Sequence, residues 1–178
     1  VAGRTDADLG GAGPVLCNGD GAQVAVMTPY KVHPPAGIAE FRSVERKAKD
    51  LGHAPKSVWQ LSGAGAVGSQ SLVGLAQLQK LRRRYGADLA VCPFETQNAP
   101  LVLAEVYPSL LARTISALRE PQEILDRAQV RVLAQALWHL APGELESMLH
   151  EGSAEEGWIL GLGHNAALER AARQGDSE

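Results

Sequence analysis

Apolar residues recur at helical spacing in some stretches, run together in others and fade at both ends, and this rhythm divides the chain. Residues 1–13 (VAGRTDADLGGAG) show no apolar period and read as a polar, glycine-rich arm. Residues 14–17 and 22–27 flank Asn18-Gly19-Asp20-Gly21, residue types that adopt positive φ readily, so a short hairpin is expected there. After Pro34-Pro35, the positions Ile38, Phe41, Val44, Ala48 and Leu51 fall three to four residues apart, which predicts an amphipathic helix stopped by Gly52.

The middle of the chain alternates. Residues 57–61 (SVWQL) predict a strand, 63–68 (GAGAVG) a turn, and 69–85 a helix with Leu72, Leu75, Ala76 and Leu81 apolar, ended by Gly86. Residues 88–94 (DLAVCPF) form a nearly continuous apolar run, the pattern of a strand covered on both faces. Together these segments predict a right-handed βαβ crossover over 57–94. A further strand is expected over 101–106, stopped by Tyr107-Pro108. The pattern then turns helical. Ile124, Ala128, Val132, Ala136, Leu137 and Leu140 share one face of a helix over 123–140, which Pro142-Gly143 should end. A short helix around Leu145, Met148 and Leu149 and a last one over 164–173 follow, and 175–178 read as a mobile tail. The expectation is one α/β domain over 14–174, a mixed sheet flanked by helices with a mainly helical last third.

Composition supports a globular chain and narrows its partners. The 178 residues are 45% hydrophobic and 21% charged, enough to enclose one core, and aromatics at 4% leave that core to Ala, Val and Leu. Net charge is −3 and no long basic run is present, so tight non-specific DNA binding is not expected. Arg82, Arg83 and Arg84 fall near a helix end, where basic residues complement the dipole. Cys17 and Cys92 lack zinc-ligand spacing and read as small buried residues, which with the absence of an apolar span or leader points to a reducing cytoplasm and no membrane. The chain opens on Val1 rather than Met, which leaves open whether it is part of a longer protein.

Gly63, Gly65 and Gly68 match Gly-x-Gly-x-x-Gly between a predicted strand and a predicted helix. There, backbone N–H groups at the helix start could cradle a pyrophosphate, and Glu95 would take a ribose hydroxyl. The acid is expected about 20 residues past the motif. Asp88 has that interval but falls at the start of its strand, and Glu95 comes late. A structural turn is therefore the favoured reading of the glycines, with nucleotide binding as the alternative.

Five segments carry a resemblance: 35–45 (PAGIAEFRSVE), 52–72 (GHAPKSVWQLSGAGAVGSQSL), 91–96 (VCPFET), 103–111 (LAEVYPSLL) and 155–161 (EEGWILG). Over residues 33–165 the chain resembles the C-terminal part of a bacterial family related to the DUF429 group, whose members are predicted ribonuclease-H-like nucleases. Some carry labels from molybdopterin-guanine dinucleotide or cobalamin biosynthesis. The resemblance implies a partial ribonuclease-H-like fold, a phosphodiester hydrolase dependent on Mg²⁺ or Mn²⁺, and nucleic acid or a nucleotide as partner. Two alternatives stand beside it: a Rossmann-like nucleotide-binding protein of cofactor metabolism, and a non-catalytic interaction domain.

In such a nuclease, carboxylates from neighbouring strands hold cations that activate water. Glu105 is the first candidate, both catalytic and metal-binding, because an acid inside the apolar run 101–106 is costly unless it is solvated or paired with a cation. Residues 104–109 (AEVYPS) align with the related group's Glu-Val-His-Pro-Glu, with Tyr107 in place of His and Ser109 in place of the second Glu. Asp126 is the second catalytic candidate, although an acid in a helix's first turn also complements the dipole. The acidic strand motifs that open family members have no counterpart here, and residues 24–29 hold no acid. His33, His53, His139, His150 and His164 show no ligand-pair spacing, Ser62, Ser69 and Ser71 have no evident base, and Glu155-Glu156 read as a metal-facing pair or a solvated helix start.

Overall fold

A parallel strand pair must hide both faces, and the residues best suited to it are Leu89, Ala90 and Val91, all buried. In the computed structural model, which describes residues 39–59, 66–96 and 98–174, they form β1 (Leu89–Val91). Its parallel neighbour is β2 (Leu101–Leu103), with Leu89 opposite Leu101 and Val91 opposite Leu103. The described residues are thus helices together with a small parallel sheet, and they divide into two compact units.

The first unit holds α1 (Ser43–Asp50) and α2 (Gly68–Tyr85). At the start of α1 the Glu45 carboxylate accepts the Arg42 backbone N–H at 2.6 Å, satisfying a donor the helix leaves unpaired, and Val44 and Ala48 form its buried stripe. Gly52 follows at φ 85°, the left-handed stop that the sequence predicts. α2 also ends where expected, on Gly86 at φ 54°, with Arg82, Arg83 and Arg84 in its last turn. The strand expected over 57–61 does not form in its described part. Residues 58–59 make a turn in which the Trp59 N–H donates to the Ser57 hydroxyl at 3.3 Å, a local bond that competes with a ladder. Residues 60–61 lie outside the described residues, as do Gly63, Gly65 and the hairpin expected within 14–27.

The second unit holds both strands and four helices, α3 (Ala112–Leu118), α4 (Leu125–Trp138), α5 (Pro142–Leu149) and α6 (Asn165–Gln174). β1 stops short of the expected 88–94 because the chain turns at Cys92-Pro93, where proline has no N–H to offer a ladder, and the Glu95 N–H closes the turn on the Val91 carbonyl at 3.0 Å. β2 is shorter than 101–106, although Glu105 makes a separate parallel bridge to Ile159. Past Tyr107-Pro108 a short 3-10 turn leads into α3, a seven-residue helix too brief to announce itself by periodicity. Pro142 does more than end α4. It opens α5 at the first helical position, where its missing N–H costs nothing.

Ala128, Val132 and Ala136 are fully buried along one stripe of α4, and Ala171 and Ala172 of α6 join them in one core with Leu111, Ile115, Met148 and Leu168. Small residues on both helices let their backbones come close. An ion pair of Arg170 with Glu144 ties α5 to α6, and in the loop between them His164 Nε2 lies 2.5 Å from Glu151 Oε1. The Arg170 guanidinium, helped by the Ala141 N–H, holds the Glu144 carboxyl below its ordinary range.

The joint between α3 and α4 rests on a buried acid. Glu123 takes Arg131 through both oxygens, at 3.0 and 2.8 Å, and accepts the Glu120 N–H at 3.1 Å. Arg131 also donates to the Leu118 carbonyl at 2.8 Å, and Arg119 to the Glu123 carbonyl at 2.6 Å. The Arg131 contact, above the other causes, lowers the Glu123 pKa to about 2 from an ordinary 4.5. A depressed carboxyl stabilises the fold above its unfolded pKa and loses that contribution as pH falls through the folded value. Glu123→Gln should therefore lower Tm at pH 7 by roughly 5–10 °C. The gap from the unaltered chain should close as pH falls from about 4.5 to 2, as read by urea midpoints across that range. A gap unchanged at pH 2 would mean that the joint does not depend on the charge.

Candidate functional site at the carboxyl edge of the parallel strands

Parallel strands share one carboxyl end, and ligands of open α/β sheets gather beyond it. Two acids lie there, Glu95 four residues past Val91 and Glu105 two residues past Leu103. Their surroundings differ.

The Cys92 N–H faces β2 and donates to the Leu103 carbonyl at 2.8 Å, so Val91, one residue earlier, turns its backbone groups to the opposite edge. Glu95 takes both. Its Oε2 accepts the Val91 N–H at 3.0 Å and its own N–H donates to the Val91 carbonyl. The carboxylate stands where the carbonyl of a next strand would be. Glu95 is thus held as an edge cap on β1, and the ribose-binding role considered for it competes with that bond.

Glu105 is exposed, so the cost of burying an acid inside an apolar strand does not arise. Leu160 N–H donates to its carbonyl at 2.9 Å, continuing the pairing where β1 has turned away. That contact fixes the Glu105 backbone against the loop preceding α6. Two glycines set the loop's path. Gly161, at φ 80°, would bring a Cβ to 2.7 Å from Leu168 Cδ1, and Gly152, at φ 109°, would place one inside the Trp158 side chain. Glu155 and Glu156 sit in the turn between Ser153 and Gly157 and open no helix, because Gly157 N–H closes on the Ser153 carbonyl at 2.9 Å.

Asp126 lies exposed in the first turn of α4, the position that favours an acid on dipole grounds alone. Among the described residues no three of His, Cys, Asp and Glu come together to hold a metal ion. Of the glycine motif only Gly68 is described, buried as the first residue of α2. Ser71 donates back to the Val67 carbonyl at 2.9 Å, a helix contact. His53 stands edge-on to Tyr107 with ring centroids 6.2 Å apart, His150 Nδ1 lies 2.8 Å from the Glu146 carbonyl, and His139 ends α4. The Cys92 thiol, its pKa raised by burial, reaches the Leu149 carbonyl at 3.2 Å and ties the end of β1 to α5. No helix among the described residues is long and apolar enough to cross a membrane.

No family model, no curated protein and no solved structure matches the chain.

Removing the cap on β1 should be measurable. Glu95→Ala leaves the Val91 N–H without its acceptor and should cost about 1–3 kcal/mol, whereas Glu95→Gln keeps an acceptor oxygen and should cost less than half of that in urea denaturation. Equal losses in the two variants would show that the charge, not the hydrogen bond, is what β1 needs.

Proposed function

We propose that the chain is a ribonuclease-H-like phosphodiester hydrolase dependent on Mg²⁺ or Mn²⁺, acting on nucleic acid or a nucleotide. The observation that carries this reading is the place of Glu105, an exposed carboxylate at the carboxyl end of two parallel strands, with Glu95 at the same end. The resemblance of residues 33–165 to a family of predicted nucleases supports it. Glu105 would hold the cation, which when bound supplies charge for the developing oxyanion and an activated water. The described residues bring together no set of three metal ligands, so they do not by themselves make a complete cage, and no bond-breaking step is assigned. Asp126 is the second acid of this reading.

A non-catalytic interaction domain is the second reading, favoured by Val130 and Trp138 of α4, which are 70% and 84% exposed. A cation titration separates the two. A single-carboxylate site binds weakly, and at about ten times a millimolar-range Kd the cation should stabilise the fold by about 1.4 kcal/mol, raising Tm by roughly 3–5 °C. Glu105→Gln should abolish the rise. A rise that survives Glu105→Gln would take this residue out of the site, and no rise with either cation would leave the interaction reading in its place.

A further inference from the structure

Beyond β2 the chain is extended at Glu105, which bridges Ile159, and at Tyr107, with φ −131° and ψ 92°. Side chains alternate along extended backbone, so these two residues share one side of it. What packs on Tyr107 comes from far back in the sequence. Gly52, at φ 85°, turns the chain after α1, and His53, next to it, joins the second unit with its ring edge-on to Tyr107, the planes at 81°. Both rings are half-buried, and among the described residues neither the His53 nitrogens nor the Tyr107 hydroxyl take a hydrogen bond. His150 and His164 differ, each meeting a protein oxygen through a ring nitrogen. The ring contact thus positions the His53 imidazole and leaves its hydrogen-bonding groups, with that of the phenol, open to a ligand.

We propose that His53 and Tyr107 hold a non-bridging oxygen of the substrate phosphodiester, an imidazole N–H and the phenol O–H each donating to it, on the side of the strand where Glu105 holds the cation. The proposal rests on the hydrolase reading above and adds a second contact to that site. An exposed carboxylate repels a phosphate, so beside Glu105 the anion needs the cation or hydrogen-bond donors to offset that charge. His53 and Tyr107 offer two such donors at this edge. Their crossed planes also suit an oxygen atom better than a flat base. An edge-on pair forms no parallel slot for a third ring, whereas its polar atoms stay without partners.

The imidazole proton signals of the full, unaltered chain, assigned through the backbone and titrated without added cation, read this contact directly. A dinucleotide with a single phosphodiester should move the His53 signal and leave that of His139, at the end of α4, in place. Glu105→Gln removes the repelling charge and should tighten the binding about fivefold. His53→Phe and Tyr107→Phe each keep a ring in the edge-on pair and delete one donor, so each should weaken binding roughly tenfold. Affinity unchanged in any of the three variants overturns the proposal, as does a His53 signal that the dinucleotide leaves in place. A response to inorganic phosphate with none to the dinucleotide also overturns it, because the site would then take a free anion and not a diester. The cation-dependent rise in Tm tests the hydrolase reading separately. Its absence, with His53 still answering the dinucleotide, would remove the hydrolase and leave the phosphodiester contact standing.

Discussion

Every backbone donor and acceptor on a buried strand has to find a partner, and in this protein that requirement falls on β1. Three consecutive residues, Leu89 to Val91, are out of water on both faces. One set of their amide groups is answered by β2 in parallel register. The other cannot be left bare at Val91, and the chain answers it locally by turning at Cys92-Pro93 and bringing Glu95 back. That turn removes β1 from the ladder. Leu160 then meets the Glu105 carbonyl, which continues the pairing beyond it. The positions of both acids at the carboxyl edge thus follow from one hydrogen-bonding constraint.

Features set by local pattern were legible in the sequence. α2, α4 and α6 follow from apolar spacing, and Gly52 and Gly86 stop helices at the positive φ angles that glycine tolerates. Strand lengths were not legible, because an apolar run such as 88–94 looks the same whether it continues extended or turns at a proline. The 57–61 segment has strand composition, yet Ser57 offers Trp59 a nearer hydrogen-bond partner than any strand.

The acids show the same division between local and distant causes. Asp126 sits where dipole reasoning puts it, and that reasoning used nothing beyond its own helix. Glu123 was counted only as the first residue of a predicted helix, whereas its partners come from the turn after α3, through Arg119 and the Glu120 N–H, and from the second turn of α4, through Arg131. A carboxylate so placed reads as an ordinary helix-start acid until the fold closes around it. For Glu105 the sequence left open a solvated acid or one paired with a cation, within a run expected to be one strand over 101–106. The chain instead leaves β2 two residues earlier, and the side chain is exposed.

The loop between α5 and α6 connects the candidate site to the helical core. Leu160 holds the Glu105 carbonyl, Gly161 admits Leu168 at a distance that no Cβ would allow, and His164 both accepts the first N–H groups of α6 and pairs with Glu151. Ile159 and Leu162, fully or nearly buried on either side, anchor the same stretch by packing. The backbone position of Glu105 is therefore set by the docking of α6 on α4 as well as by its own strand. A carboxylate on a short strand pair would otherwise depend on a ladder of few bonds. Here its placement draws on the Ala-lined interface of two helices, so the geometry of the edge and the stability of the helical core are coupled through residues 159–164.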